Sequence, residues 1–224
     1  MKKRIRLADR CLPSYSKGEE IANMVTHIVG GALGIFALVA CILKSLPSES
    51  AVVTASAGIY AVTMICLYTM SSIYHGLRPG TGKKVLQILD HCTIYWFIAG
   101  TYTPILLCAI FPRSAAAALF LLALQWGLAT LATVLTAIDL KRYKVFSMCC
   151  YIVMGWSIAL FFPLAYNMLG HTGFLLLLYG GIAYTVGAIL FGIGAKIAWF
   201  HSLFHLFVLV GSLLQFLCIY CYVL

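Results

Sequence analysis

Long uncharged apolar stretches alternate with short polar segments along this chain, and each stretch is about as long as a membrane span. Residues 21–43 run 23 positions without a charge, 50–77 run 28, and 114–138 run 25. Between Lys84 and Arg113 the one charged side chain is an acid, Asp90. Residues 145–195 are 51 uncharged positions, and 197–224 form the last stretch. A helix needs about 20 apolar residues to cross the hydrocarbon layer of a bilayer. The run of 51 is therefore too long for one crossing. Its middle carries the breakers Pro163, Asn167, Gly170, His171 and Gly173, and the run divides there. The pattern predicts seven helices, near 21–43, 51–75, 86–110, 115–138, 145–166, 173–194 and 198–222. The expected fold is all-α: a polytopic seven-helix transmembrane bundle over 21–224, a single domain behind a cytosolic N-terminal segment, 1–20.

Composition agrees and removes alternatives. Of the 224 residues, 63% are hydrophobic and only 9% charged, and mean hydropathy is +1.01. A soluble domain has roughly 25% charged residues, so a disordered chain, a coiled coil and a water-soluble enzyme are excluded. The net charge of +9, from 15 Lys+Arg against 6 acids, would suggest nucleic acid in a soluble protein. Here no nucleic-acid partner is expected, because cations beside apolar spans set orientation instead. With the N-terminus in the cytosol, the inner side holds Lys2, Lys3, Arg4, Arg6, Arg10, Lys17, Arg78, Lys83, Lys84, Lys141, Arg142, Lys144 and Lys196. The outer side holds Lys44 and Arg113. Thirteen against two predicts N-in, C-out, in the cytoplasmic (inner) membrane as a multi-pass protein. The first apolar run is a full span behind twenty mixed residues, so an uncleaved anchor is expected rather than a signal peptide. The nine cysteines are scattered, and Cys218-x-x-Cys221 lacks the second pair that a metal reading would want.

Ionisable groups inside spans are costly and point to function. They are His27, His75, Asp90, His91, His201 and His205, with Glu20 and Asn23 at the start of the first helix. With alternating helix directions, all fall within roughly 10 Å of the cytosolic face at the usual helical rise. Spare polar residues placed at random would spread over both faces. Spacing adds to this. His201-x-x-x-His205 sets two imidazoles on one helix face, and Ser71-x-x-x-His75 does the same for a hydroxyl and an imidazole. Glu20, Asn23 and His27 share a stripe. Three imidazoles, His75, His201 and His205, suit Zn²⁺ and leave a fourth position for water, the pattern of catalytic sites. Water held there would have its pKa lowered toward ~7. Asp90 is the acid at this depth able to hold or deprotonate it, and Ser71 could hydrogen-bond the water or a developing oxyanion. Other readings stand beside this one. An isolated H-x-x-x-H serves packing as well, His75 fits an interface, and Asp90 could pair with Lys83 or Lys84 a turn below. His91, about 100° round the helix from Asp90, is expected to face elsewhere. Gly30-x-x-x-Gly34 reads as close helix packing, Pro104 and Pro163 as kinks, and His171 and Asp139 as groups of the outer turn and the interface.

The ordered set Glu20-x-x-Asn23-x-x-x-His27, Ser71-x-x-x-His75, Asp90 and His201-x-x-x-His205 resembles the hemolysin III family. That family is the bacterial branch of the progestin and adipoQ receptor superfamily, related to adiponectin receptors and alkaline ceramidases. The resemblance covers nearly the whole chain. It implies His75, His201 and His205 as zinc ligands, Asp90 as the holder of the zinc-bound water, Ser71 as its neighbour, and a first-helix motif in Glu20, Asn23 and His27. It further implies a zinc-dependent hydrolase of a lipid amide or ester, or a regulator of membrane lipid composition, with an acyl chain as substrate or ligand. The family name implies cytolysis, yet a seven-span chain with an uncleaved anchor is not built as a secreted toxin. Two classes therefore stay open: an intramembrane hydrolase, and a non-enzymatic lipid sensor or cytolysin with a structural zinc. A proton relay is a third, and it wants polar residues continuing to the outer leaflet, which the sequence does not place in register.

Overall fold

Helix boundaries follow caps and breakers more closely than they follow the ends of the uncharged runs. A computed structural model describes residues 7–224; Lys2, Lys3, Arg4 and Arg6 of the charge count lie outside the described residues. Helix α1 spans Lys17–Ser45. Its N-cap is Ser16, whose hydroxyl accepts the Glu19 N–H at 3.2 Å while the Glu19 carboxylate accepts the Ser16 N–H at 2.9 Å. This reciprocal capping satisfies donors that would otherwise be orphaned. It starts the helix ahead of the expected position 21. Helix α2 spans Ala51–Gly76 and α4 Ala115–Asp139, capped by Ser50 and Ser114. Helix α3, Thr81–Pro104, begins before the expected position 86, taking Lys83 and Lys84 into its first turn. After Pro104 the backbone widens into a π-helical turn, Ile105–Ile110, closed by the Phe111 N–H on the Leu106 carbonyl at 2.8 Å.

Among the described residues, six helical stretches can cross a membrane by length and composition, and Lys144–Gly194 counts among them as one stretch of 51 residues. It is not straight. Helix α5, Lys144–Trp156, tightens into a 3₁₀ segment, Ser157–Phe161, and α6 follows over Phe162–Gly194. The helix expected at 145–166 is therefore interrupted at Trp156. Pro163, expected as a kink, sits in the first turn of α6, where a missing N–H costs nothing. The sharp break is at Gly170, with φ 67° and ψ 178°, a backbone that a Cβ disfavours. The chain folds back there. Phe162 and Phe174 meet with ring centroids 4.5 Å apart, and the Trp156 indole donates to the Thr185 hydroxyl at 3.0 Å. In one straight helix, residues 156 and 185 would stand about 44 Å apart. The last helix, α7, is Phe200–Tyr222.

The bundle closes as a ring in which each helix packs on the next and α7 returns to α1. Helix α3 also meets α5 and is the most enclosed, with 67% of its apolar stretch buried against 28% for α1. The packing is inverted relative to a soluble protein. Ile28, Val29, Ile35, Phe36 and Leu43 of α1 are exposed, while its buried stripe is Glu19, Asn23, His27, Gly30, Gly34, Ala37 and Cys41. Apolar side chains face the surroundings and small or polar ones face the bundle, as lipid requires. At Gly30 a Cβ would fall 2.2 Å from the Tyr68 ring. Tyr68 is fully buried and its hydroxyl donates to Ser212 at 2.7 Å, so it cannot retreat. Gly30→Ala is therefore expected to cost about 1–3 kcal/mol by overpacking. A lowered melting temperature in detergent reads this out, with Gly127→Ala, whose Cβ would meet nothing within 4 Å, as the unaffected control.

Candidate metal centre

The N-terminus of α1, the C-terminus of α2 and the N-termini of α3 and α7 meet at one end of the bundle. Adjacent acids of α1 tie them together. The Glu19 carboxylate accepts the Trp199 N–H at 2.7 Å, fixing the left-handed residue (φ 67°) that launches α7. Glu20 lies 2.7 Å from Nδ1 of His75, at the end of α2, and 2.5 Å from the Lys83 ammonium, in the first turn of α3. The helix starts and ends thus set the depth of every polar side chain that follows.

His75, His201 and His205 converge here. All three are buried, with one ligand nitrogen from each within 4.8 Å of the others. Ring centroids are 5.4 Å apart for His75–His201, 4.9 Å for His75–His205 and 4.6 Å for His201–His205. Nε2 of His205 faces Nε2 of His201 at 3.0 Å, and Nε2 of His75 is buried with no hydrogen-bond partner. A buried nitrogen without a partner costs free energy. A shared cation would use all three lone pairs, and three imidazoles suit a zinc-type ion. The donor set therefore fits a metal ion.

The remaining candidates occupy distinct places. Ser71, a turn before His75 on α2, is buried with its hydroxyl unpartnered, and it faces the same cavity as His205. Asp90 is not one of the three clustered donors; it borders two cavities beside them. Of the cations considered for it, Lys83 turns to Glu20 instead. His91, expected to face away, borders both cavities as well. Its Nδ1 sits 2.8 Å from the Gln87 carbonyl and 3.9 Å from the Asp90 carboxylate. The helix is crowded enough here for neighbouring residues to reach one space. Of the first-helix motif, Glu20 touches His75 and Lys83. Asn23 comes to 3.5 Å of the same His75 nitrogen, and the His27 ring lies 3.9 Å from that of His205 with both nitrogens unpartnered. Asp139, read as an interface charge, is buried and accepts the Arg142 N–H at 3.1 Å. His171 is exposed in the turn after Gly170.

Three participants lie outside what the sequence pattern singles out. Tyr15 stacks on His201 at 4.8 Å and covers His75 at 5.8 Å. Burial, together with the Glu20, Asp90 and Glu19 carboxylates, pushes its phenol well above the usual range, so it remains a neutral hydroxyl. Glu19 is legible as the fourth residue of Ser16-x-x-Glu19, a capping signature. Lys83 shows in the sequence as a cation near Asp90, and its pairing with Glu20 is what the pattern does not show.

Two cavities meet at this centre. One has a volume of about 200 Å³ and runs from His201 and His205 past Ile94, Phe97 and Leu177 as far as Gln215. From His201 to Gln215 is roughly 21 Å along α7 at the usual helical rise. Its walls are mainly aliphatic and aromatic. The other, about 130 Å³, is bordered by Pro13, Tyr15, Gln87 and Lys144. Asp90, His91 and His201 belong to both. Deeper polar groups do exist. Tyr68 and Tyr184 both bond Ser212, at 2.7 and 2.9 Å, and the Gln215 amide donates to the Leu177 carbonyl at 3.1 Å.

Residues 15–216 match the haemolysin-III-related family. The chain is 41% identical over 207 residues to "Hemolysin-3" of Bacillus cereus, covering 92% of each chain. It is 40% identical over 204 residues to "Hemolysin-3 homolog" of Bacillus subtilis (strain 168), covering 91% of this chain and 94% of that one. Identity to the human "Monocyte to macrophage differentiation factor" is 28% over 212 residues, with 91% and 84% covered. With a match over nearly its full length and a bundle that turns its apolar side chains outward, the chain is an integral membrane protein belonging to the haemolysin-III-related family.

Proposed function

We propose that this chain is a zinc-dependent hydrolase of a lipid amide or ester, working at one face of the cytoplasmic membrane in lipid homeostasis. The observation that carries the reading is the cluster of His75, His201 and His205, in which His201 borders both the long apolar cavity and the smaller one that Gln87, Asp90 and Lys144 line. A zinc ion held by the three imidazoles would supply Lewis acidity toward a carbonyl and a water of lowered pKa. The rest falls to the chain. The long cavity takes one acyl chain and excludes water from it. The short cavity admits water and holds the polar head. Asp90 accepts a proton from the attacking water at its carboxylate and returns it to the leaving amine or alcohol as the C–N or C–O bond breaks. The Ser71 hydroxyl donates to the carbonyl oxygen as charge builds there. His27, unpartnered against His205, adds a further polar contact at the junction.

The test is release of free fatty acid from a panel of lipid amides and esters by the purified protein in nanodiscs. Zinc-loaded protein that hydrolyses nothing on the panel would leave the sensor or cytolysin reading, with the ion as a structural staple.

The proposal includes a seven-span, N-in and C-out topology for 21–224, behind a short cytosolic segment. Its support is the charge asymmetry and the reversal at Gly170, which divides the 51-residue stretch into two antiparallel arms. Single-cysteine labelling is expected to find the 77–80 connection between α2 and α3 on the cytosolic side and residue 224 outside. A cytosolic C-terminus would mean that one of the two arms does not cross.

A further inference from the structure

The chemistry around Glu20 extends the metal reading, and on that reading it rests. A ligating imidazole must present a lone pair, so its proton has to sit on the other ring nitrogen. Nδ1 of His75 lies 2.7 Å from a Glu20 carboxylate oxygen. An ionised carboxylate only accepts hydrogen bonds, so in the neutral ring the proton is on Nδ1 and the lone pair on Nε2. That Nε2 is the buried, unpartnered atom. The Asn23 amide approaches the same Nδ1, but at 3.5 Å it is too long to compete. The Lys83 ammonium, 2.5 Å from the other Glu20 oxygen, is the counter-charge of that carboxylate. Lys83 is itself held by the Leu77 carbonyl at 3.0 Å, just past His75 in the chain. The order of contacts is Lys83, Glu20, His75, drawn from three helices.

We propose that Glu20 is the positioning residue of the centre: its carboxylate fixes the tautomer and the ring direction of His75, with Lys83 as its counter-charge, and so sets metal affinity. His201 and His205 have no carboxylate contact of this kind among the described residues, so the two imidazoles of α7 are oriented by their helix and by the rings around them. His75 stands at the end of α2, where the helix gives less support, and there the carboxylate does the orienting.

The experiment measures zinc affinity of the purified, metal-stripped protein by competition with a chromophoric chelator. The same samples are followed by the absorption spectrum of the Co²⁺ form and by the melting temperature of the metal-free form. Glu20→Gln keeps the shape, but its amide can donate to Nδ1 and favour the tautomer that cannot bind. Zinc affinity is expected to fall about 10–100-fold, the usual effect of losing such a partner, and the Co²⁺ spectrum to shift. Because Glu20→Gln alone strands the buried Lys83 ammonium, the double variant Glu20→Gln/Lys83→Met removes the charge pair together. It is expected to recover the melting temperature and to keep the weakened affinity. Affinity restored along with stability in the double variant would overturn the proposal, making Glu20 a structural ion-pair member. Wild-type affinity in Glu20→Gln, with zinc still lost in His75→Ala, would overturn it too while leaving the metal centre standing. A folded wild-type protein that binds no zinc would overturn the metal reading and this inference with it.

Discussion

Asp90→Asn is expected to lower fatty-acid release about 10²–10⁴-fold, the range typical of a lost general base, while the protein stays folded and metal-loaded. The substitution preserves side-chain shape and hydrogen bonding, so both cavities that Asp90 borders keep their walls. What disappears is the capacity to take up a proton. Asp90 stands apart from the three clustered imidazoles, which is why metal content should survive. The side chain is 14% exposed, and the smaller cavity leads away from it past Tyr15 and Lys144. Equal activity in wild type and Asp90→Asn would remove Asp90 from the chemistry and turn attention to His91, which shares the same space.

The second large effect concerns the ion itself. Purified protein should carry about one zinc per chain, as expected of three imidazoles round one tetrahedral ion. His75→Ala, His201→Ala and His205→Ala should each reduce it to background, because two imidazoles at this depth are a poor site. His171→Ala, exposed just beyond Gly170 and far along α6 from its C-terminus, should keep it. Elemental analysis of the four variants decides the matter. Full occupancy in all three cluster variants would show that the imidazoles are packing against each other and hold nothing.

Much of this arrangement is legible without coordinates, and what is not has physical causes. The place of the polar residues on the first three helices follows from the constant rise of a helix. That His201 and His205 join His75 depends also on dividing the 51-residue stretch into two, which the breakers near Gly170 suggest. The Lys144–Gly194 stretch is harder to divide. No charge marks its interior, and at the 3₁₀ tightening of Ser157–Phe161 the Gln125 amide donates to the Ser157 hydroxyl while the Tyr102 hydroxyl accepts the Ile158 N–H. Such bonds are invisible to local pattern. His91 escapes the helical-wheel argument because an angular step round an ideal helix ignores how wide a shared cavity is. Tyr15 and the true partner of Lys83 lie where membrane arithmetic stops: one precedes the first span, and the other pairs across helices with Glu20 rather than within its own helix with Asp90.

The bond from the Trp199 N–H to Glu19 joins residues 180 positions apart. A ribosome delivers α1 long before α7, and chains fold from the N-terminus as they emerge. Glu20 can meet His75 and Lys83 once α2 and α3 are made, but Glu19 has its Trp199 partner, and His75 its neighbours His201 and His205, only when α7 follows. The three-imidazole cluster is complete only when α7 is present. Any metal uptake by the cluster would then be coupled to completion of the fold, and a chain stalled or clipped before position 199 would lack two of its three imidazoles.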